Sequence, residues 1–137
     1  MDSILATLQL GLPVLVGQFA ATLALLAIGM ACYMALTPFH EWRLVQQGNV
    51  AAGVVVAGTL VALALPLATT LAASVLVLDI VLWGLVALVI QLATFFVAAT
   101  LLRDLRAMIE AGNVAAALVL IGIQLAVALL NAGAMSG

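Results

Sequence analysis

There is no lysine in this chain of 137 residues, and it holds only three arginines, five acidic residues and one histidine. Charged residues make up 6% of the total, where an ordinary soluble domain carries about a quarter. The charges are Asp2, Glu41, Arg43, Asp79, Arg103, Asp104, Arg106 and Glu110, too few to cover a folded surface with solvated groups, so water is excluded as the solvent for most of the chain. Three cations cannot neutralise enough phosphates to hold a nucleic acid. The single cysteine, Cys32, cannot form an intramolecular disulfide. One histidine and these few acids assemble neither a metal site nor a nucleophile with its base and orienting group, so no catalytic residue, metal or cofactor is expected. What is abundant is apolar: 69% of residues, with a mean hydropathy of +1.46. That excludes intrinsic disorder and makes the lipid bilayer the first partner.

A helix needs roughly 20 residues to cross about 30 Å of hydrocarbon. Cutting the sequence at its charges and prolines leaves four segments of that length, from about Pro13 to Leu36, Val50 to Leu71, Ile80 to Leu102 and Val114 to Ala134. Pro13 suits a first helical turn, and Pro38 biases Thr37 away from helix. The fold class is all-α integral membrane, one domain of four transmembrane helices. Residues before Pro13 suit a short interfacial helix; lacking a basic n-region and a cleavage site, they read as part of the mature chain. Arg43, Arg103 and Arg106 fall in the two stretches joining spans 1 to 2 and 3 to 4. Those stretches are therefore expected in the cytoplasm, with both termini and Asp79 outside.

Displacing the sequence by 64 residues lays Gly48–Leu65 on Gly112–Leu129 with ten of eighteen positions identical, beginning with Gly-Asn-Val-Ala-Ala in both. Two helical hairpins, about 13–72 and 79–135, are thus predicted as repeats related by a pseudo-twofold axis along the membrane normal.

The Gly-Asn pairs fit helix boundaries, with glycine left-handed and Asn49 or Asn113 capping the next helix; alternatively, the two asparagines aim helix N-termini at a shared cytoplasmic anion site. Gln91 and Gln124 are each about 15 Å deep at 1.5 Å per residue. They suit either an interhelix hydrogen bond or, with Thr59, the lining of a polar path. No carboxylate, histidine or arginine lies deep in a span, which leaves the spans without a residue for a proton relay. Gln18 and Asn131 are expected nearer the outer ends as interfacial hydrogen-bonding residues, and Asp79 as the cap of span 3. His40-Glu41-Trp42-Arg43 reads as a solvated membrane-edge cluster, with Glu41 and Arg43 open to an ion or a partner. Arg103, Asp104, Arg106 and Glu110 suit a short amphipathic turn against anionic headgroups. Gly53 with Ala57, Gly58 with Ala62 and Gly122 with Ala126 form small-residue ridges for close helix contact within the chain or between copies.

Tyr33, Leu36-Thr-Pro-Phe-His-Glu-Trp42, Asn49-x-Ala51-Ala52, Gly58-Thr59-Leu60, Pro66-Leu67, the Trp83–Leu92 run, Asn113-x-Ala115-Ala116 and Asn131-Ala132 together resemble the YjfL-like bacterial inner-membrane proteins. The likeness spans nearly the whole chain; Gly48 stands where a polar residue can occur. It implies a small four-span inner-membrane protein and supplies no reaction, ligand or catalytic residue. The expected role is non-enzymatic: a homo-oligomeric pathway for ions or small solutes, or alternatively a structural or adaptor subunit that docks into a larger membrane complex or recruits a cytoplasmic partner.

Overall fold

A computed structural model describes residues 1–37 and 40–136. Pro38, expected to close the first span, and Phe39, at the start of the polar stretch after it, lie outside these residues. Four long helices, α1 (Asp2–Leu36), α3 (Val50–Ala73), α4 (Val77–Leu101) and α6 (Val114–Ser136), are each long and apolar enough to cross a membrane. Two six-residue helices, α2 (Glu41–Gln46) and α5 (Leu105–Glu110), precede α3 and α6 and are themselves 64 residues apart. No strand occurs among the described residues. In hydrocarbon every backbone amide must be satisfied within the segment, and helices do this.

The expectation of an interfacial helix followed by a new start at Pro13 is corrected. α1 is continuous from Asp2, and Pro13 lies inside it. Membrane helices tolerate an internal proline because breaking the helix would strand more backbone groups than the one amide the ring removes. At 1.5 Å per residue α1 is roughly 50 Å long, and its residues 1–17 are exposed. Pro66 lies inside α3, where the Thr70 hydroxyl donates to its carbonyl oxygen at 2.9 Å.

Both junctions into the second helix of each hairpin are built alike. Gly48 and Gly112 have φ of 81° and 80°, a left-handed turn that glycine takes without a Cβ penalty. Asn49 Oδ1 accepts from Ala52 N at 3.0 Å, and Asn113 Oδ1 from Ala116 N at 3.1 Å. Asp79, by contrast, is not the cap of α4. The helix begins two residues earlier, with Leu76 at the N-cap position, because the apolar run Val75–Leu78 is itself soluble in lipid and extends the helix upstream of the acid.

Helices α3 and α6 make the most extensive contact, and α1 packs on α4 and α3. The α3–α6 and α1–α4 pairs run parallel. A Cβ on Gly29 would lie 2.6 Å from Leu88 Cδ2, and one on Gly84 would lie 2.7 Å from Leu25 Cδ1, so each helix seats a leucine over the other's glycine at matching steps. On α3, a Cβ at Gly58 would fall 2.4 Å from Ile121 Cγ2, whereas Gly53 and Gly122 have open space above them. One of the three small-residue ridges is thus consumed inside the bundle, and Gly122 and Ala126 face outward. Gly58→Val is expected to lower unfolding stability in detergent by about 1–3 kcal/mol through overpacking. The Gly58→Val/Ile121→Ala pair should recover part of that loss, so that thermal midpoints of the two single variants and the double are less than additive.

Candidate functional site

α1 ends at Leu36 and α2 begins at Glu41, so the chain between spans 1 and 2 carries Glu41 into the bundle. Its expected place in a solvated loop beside Arg43 is therefore corrected: Glu41 is 2% exposed and accepts a hydrogen bond from Tyr33 Oη at 2.7 Å. The neighbouring Trp42 and Arg43 remain exposed. Helical spacing accounts for the split, since on a six-residue helix the first residue can face the bundle while the next two face away. Arg106 pairs with Glu110 at 3.0 Å, and this is the one ion pair among the described residues. Arg103 is exposed, and Leu105 and Ile109 bury the inner face of α5.

Tyr33 lies between this carboxylate and the amide side chains of the spans. Its ring packs edge-on against Phe95, with centroids 4.8 Å apart, and the Thr59 and Gln124 side chains flank its hydroxyl. Thr59 Oγ1 donates to Gln124 Oε1 at 3.0 Å. Gln91 meets Gln124 at the backbone: its Nε2 donates to the Gln124 carbonyl oxygen at 3.3 Å. Asn131, expected at the outer interface, is instead 7% exposed and donates from Nδ2 to Ala87 O at 3.4 Å and Gln91 Oε1 at 3.5 Å. Gln18 stays near the surface, its Nε2 donating to Val75 O at 2.8 Å.

Thr59, Gln91 and Gln124 thus come together inside one chain, joined by Tyr33, Glu41 and Asn131. Asn49 and Asn113 sit apart from this cluster at the α2 and α5 junctions. Asn49 Nδ2 donates to Ile109 O at 2.9 Å and Glu110 O at 3.3 Å, which clamps the end of α5 to the start of α3 and commits that amide nitrogen to carbonyl oxygens.

A cavity opens at each end of the cluster. One, of about 480 Å³, is lined by Thr37, His40, Glu41, Trp42, Arg43 and Gln46 among others. The other, of about 590 Å³, lies at the α3–α4 connection and includes Thr70, Ser74, Asp79, Trp83 and Asn131. Two buried polar atoms lack a hydrogen-bond partner among the described residues, Glu41 Oε2 and Gln124 Nε2. One is a carboxyl oxygen and the other an amide donor, groups that water or a hydroxyl compound can satisfy. No group of three His, Cys, Asp or Glu side chains able to hold a metal occurs among the described residues.

The sequence reading does not place Tyr33, Glu41 and Asn131 in this cluster, although a signal for them exists. Across the 64-residue offset the cluster's members face apolar residues in the other half: Tyr33 faces Val97, Glu41 faces Leu105, Thr59 faces Ile123, Gln124 faces Leu60, Asn131 faces Leu67 and Gln91 faces Ala27. Every member of the cluster thus stands where the halves disagree in polarity, while the Gly-Asn junctions stand where they agree.

The fold and its interior define a class, the multi-pass helical membrane proteins, with a polar core closed within one chain. The chain belongs to the family described as Domain of Unknown Function (DUF350), whose model matches residues 7–135. Among curated proteins it is 32% identical over 66 residues to the UPF0719 inner membrane protein YjfL of Escherichia coli strain K12 and equally to that of Escherichia coli O157:H7, covering 48% of this chain and 50% of either relative. The matched stretch thus spans about half the length of these relatives. No solved structure matches.

Burial pushes the Glu41 carboxyl up from 4.5 to about 7, against a smaller downward pull from the Tyr33 hydrogen bond. A folded state that holds the proton more tightly than the unfolded one is most stable below the unfolded value, and it loses that stability as pH rises through the folded value. Thermal stability in detergent should therefore fall between pH 4.5 and about 7 and level off above. Glu41→Gln should flatten this dependence, and melting curves across the range check it.

Proposed function

We propose that this chain is a non-enzymatic inner-membrane protein that provides a pathway for small cations or polar solutes through its own four-helix bundle. One observation carries the reading: buried polar side chains line up between two cavities, with Tyr33 bonded to Glu41, which lines one, and Thr59, Gln124, Gln91 and Asn131 bonded in turn toward the other, which Asn131 lines. Intramembrane polar and ionisable groups are costly and mark conduction paths when they connect aqueous cavities. The side chains close the path, so passage requires Gln91 and Gln124 to change rotamer. The path belongs to one copy, and self-association, supported by the outward-facing Gly122 and Ala126, multiplies it without lining it.

Arg43, Arg103 and Arg106 all belong to the end bearing α2 and α5, which supports that end as cytoplasmic and both termini as periplasmic. In a Cys32→Ala background, cysteines at Gln46 and Glu110 should resist impermeant thiol reagents in intact cells and react after permeabilisation. Labelling from outside overturns the orientation.

Proteoliposomes should pass sodium, potassium, protons or a small polyol faster than empty vesicles. Gln91→Leu with Gln124→Leu should lower that flux by about tenfold, the effect of roughly 1.4 kcal/mol on a barrier. Flux no greater than in empty vesicles, or unchanged in the double variant, removes the reading. A second reading, a structural or adaptor subunit, is favoured by the exposed residues 1–17 of α1, a long uncovered surface. Co-purification of one stoichiometric membrane partner, lost when polar residues are placed along that surface, would support it in place of conduction.

A further inference from the structure

The 590 Å³ cavity is within the size range of small-molecule sites, and its polar groups have one chemical sense. Asp79, Trp83, Val86 and Ile90 recur along one face of α4 and form one wall, with Asn131 and Met135 of α6 opposite. Asn131 is 93% buried, as its 7% exposure gives. Its Nδ2 is turned to Ala87 O and Gln91 Oε1, which leaves Oδ1 without a partner among the described residues. Ser74 adds a hydroxyl and Asp79 a carboxylate that has no ion pair among the described residues. Acceptors therefore converge beside an indole face, and all three arginines belong to the other end of the bundle.

We propose that this cavity binds a primary ammonium group borne by a small amphipathic molecule. Asp79 supplies the counter-charge, Asn131 Oδ1 and Ser74 Oγ accept N–H bonds, Trp83 offers its ring face to the cation, and Val86, Ile90 and Met135 take the alkyl part. A cavity related by the 64-residue offset acts as an internal contrast. It measures about 290 Å³ and is lined by Leu15, Gln18, Phe19 and Leu71, with Leu15 where the other has Asp79 and Phe19 where it has Trp83. Its one polar side chain, Gln18, is already bonded to Val75 O at 2.8 Å. Apolar volume is thus common to both cavities, and the cation-binding groups are confined to one. The ammonium can come from a free amine or from an aminophospholipid headgroup.

Trp42→Phe leaves Trp83 as the only indole, since the chain has two tryptophans, and makes its emission a direct probe. In phosphatidylglycerol nanodiscs, n-butylammonium chloride should change that emission saturably, while n-butanol and sodium chloride should not. Asp79→Asn should raise the half-saturating concentration by about tenfold or more, and Asp79→Glu should largely restore it. A response seen in phosphatidylglycerol nanodiscs and lost in phosphatidylethanolamine nanodiscs assigns the site to the lipid amine, and a response retained in both assigns it to a free amine. An equal response to butanol, no response in either lipid, or indifference to Asp79→Asn overturns the proposal. The cavity is the outer mouth of the proposed pathway, but binding is read without any gradient, so binding without flux fails the pathway alone and flux without binding fails the site alone.

Discussion

The hydrogen bond from Tyr33 Oη to Glu41 Oε1, 2.7 Å long, is the contact on which the interior is organised. A carboxylate taken out of water is costly unless a donor meets it, and hydrocarbon offers none. Tyr33 sits one turn before the end of α1, so the bond ties α2 to that end and sets where Glu41 enters the bundle. With the phenol placed, Thr59 and Gln124 close around it, and Gln91 and Asn131 continue the series through amide and carbonyl groups. Each member is satisfied chiefly by the next, so the cluster is specified as a unit. Its two exceptions, Glu41 Oε2 and Gln124 Nε2, are the places where a transient occupant gains most.

Around that interior the helices are held by shape. Lipid tails are as apolar as leucine, so helix association in a membrane relies on close packing and interhelix hydrogen bonds. The reciprocal seating of Leu88 over Gly29 and Leu25 over Gly84, and of Ile121 over Gly58, brings parallel helices close enough for bonds such as Thr59 to Gln124. The two hairpins share their junction chemistry, glycine left-handed and asparagine capping, while their interiors have diverged. At each offset pair of the cluster one half has an apolar side chain and the other a polar one, which yields an asymmetric polar core between junctions of like chemistry.

Much of this frame was legible. Segment lengths between charges and prolines located the four long helices, because the bilayer thickness imposes a minimum length on each. The Gly-Asn junctions were legible because a left-handed turn and an orphan helix N–H each admit few residue types. That Gln91 and Gln124 stand at one level was also legible, since rise per residue is constant. Glu41 was misplaced because charge in a loop ordinarily means solvation, and nothing local says that α2 turns its first residue inward. Asn131 was misplaced for a related reason: distance from the helix end measures depth along the axis and is silent about whether a side chain faces lipid or protein. Pro13 misled because its preference for a first helical turn is a rule for water, where a frayed helix end is hydrated.

By itself, then, the sequence determined the solvent, the number of spans, and the chemistry of their junctions. These follow from composition and from dimensions that every membrane helix shares. The tertiary structure alone decided which face of each helix is inward, and with it the joining of Glu41, Tyr33, Thr59, Gln124, Gln91 and Asn131 into one series between two cavities. The physical reason is that helix pitch fixes depth and angular spacing within a segment, whereas the rotation of one helix against another is settled by packing among residues tens of positions apart.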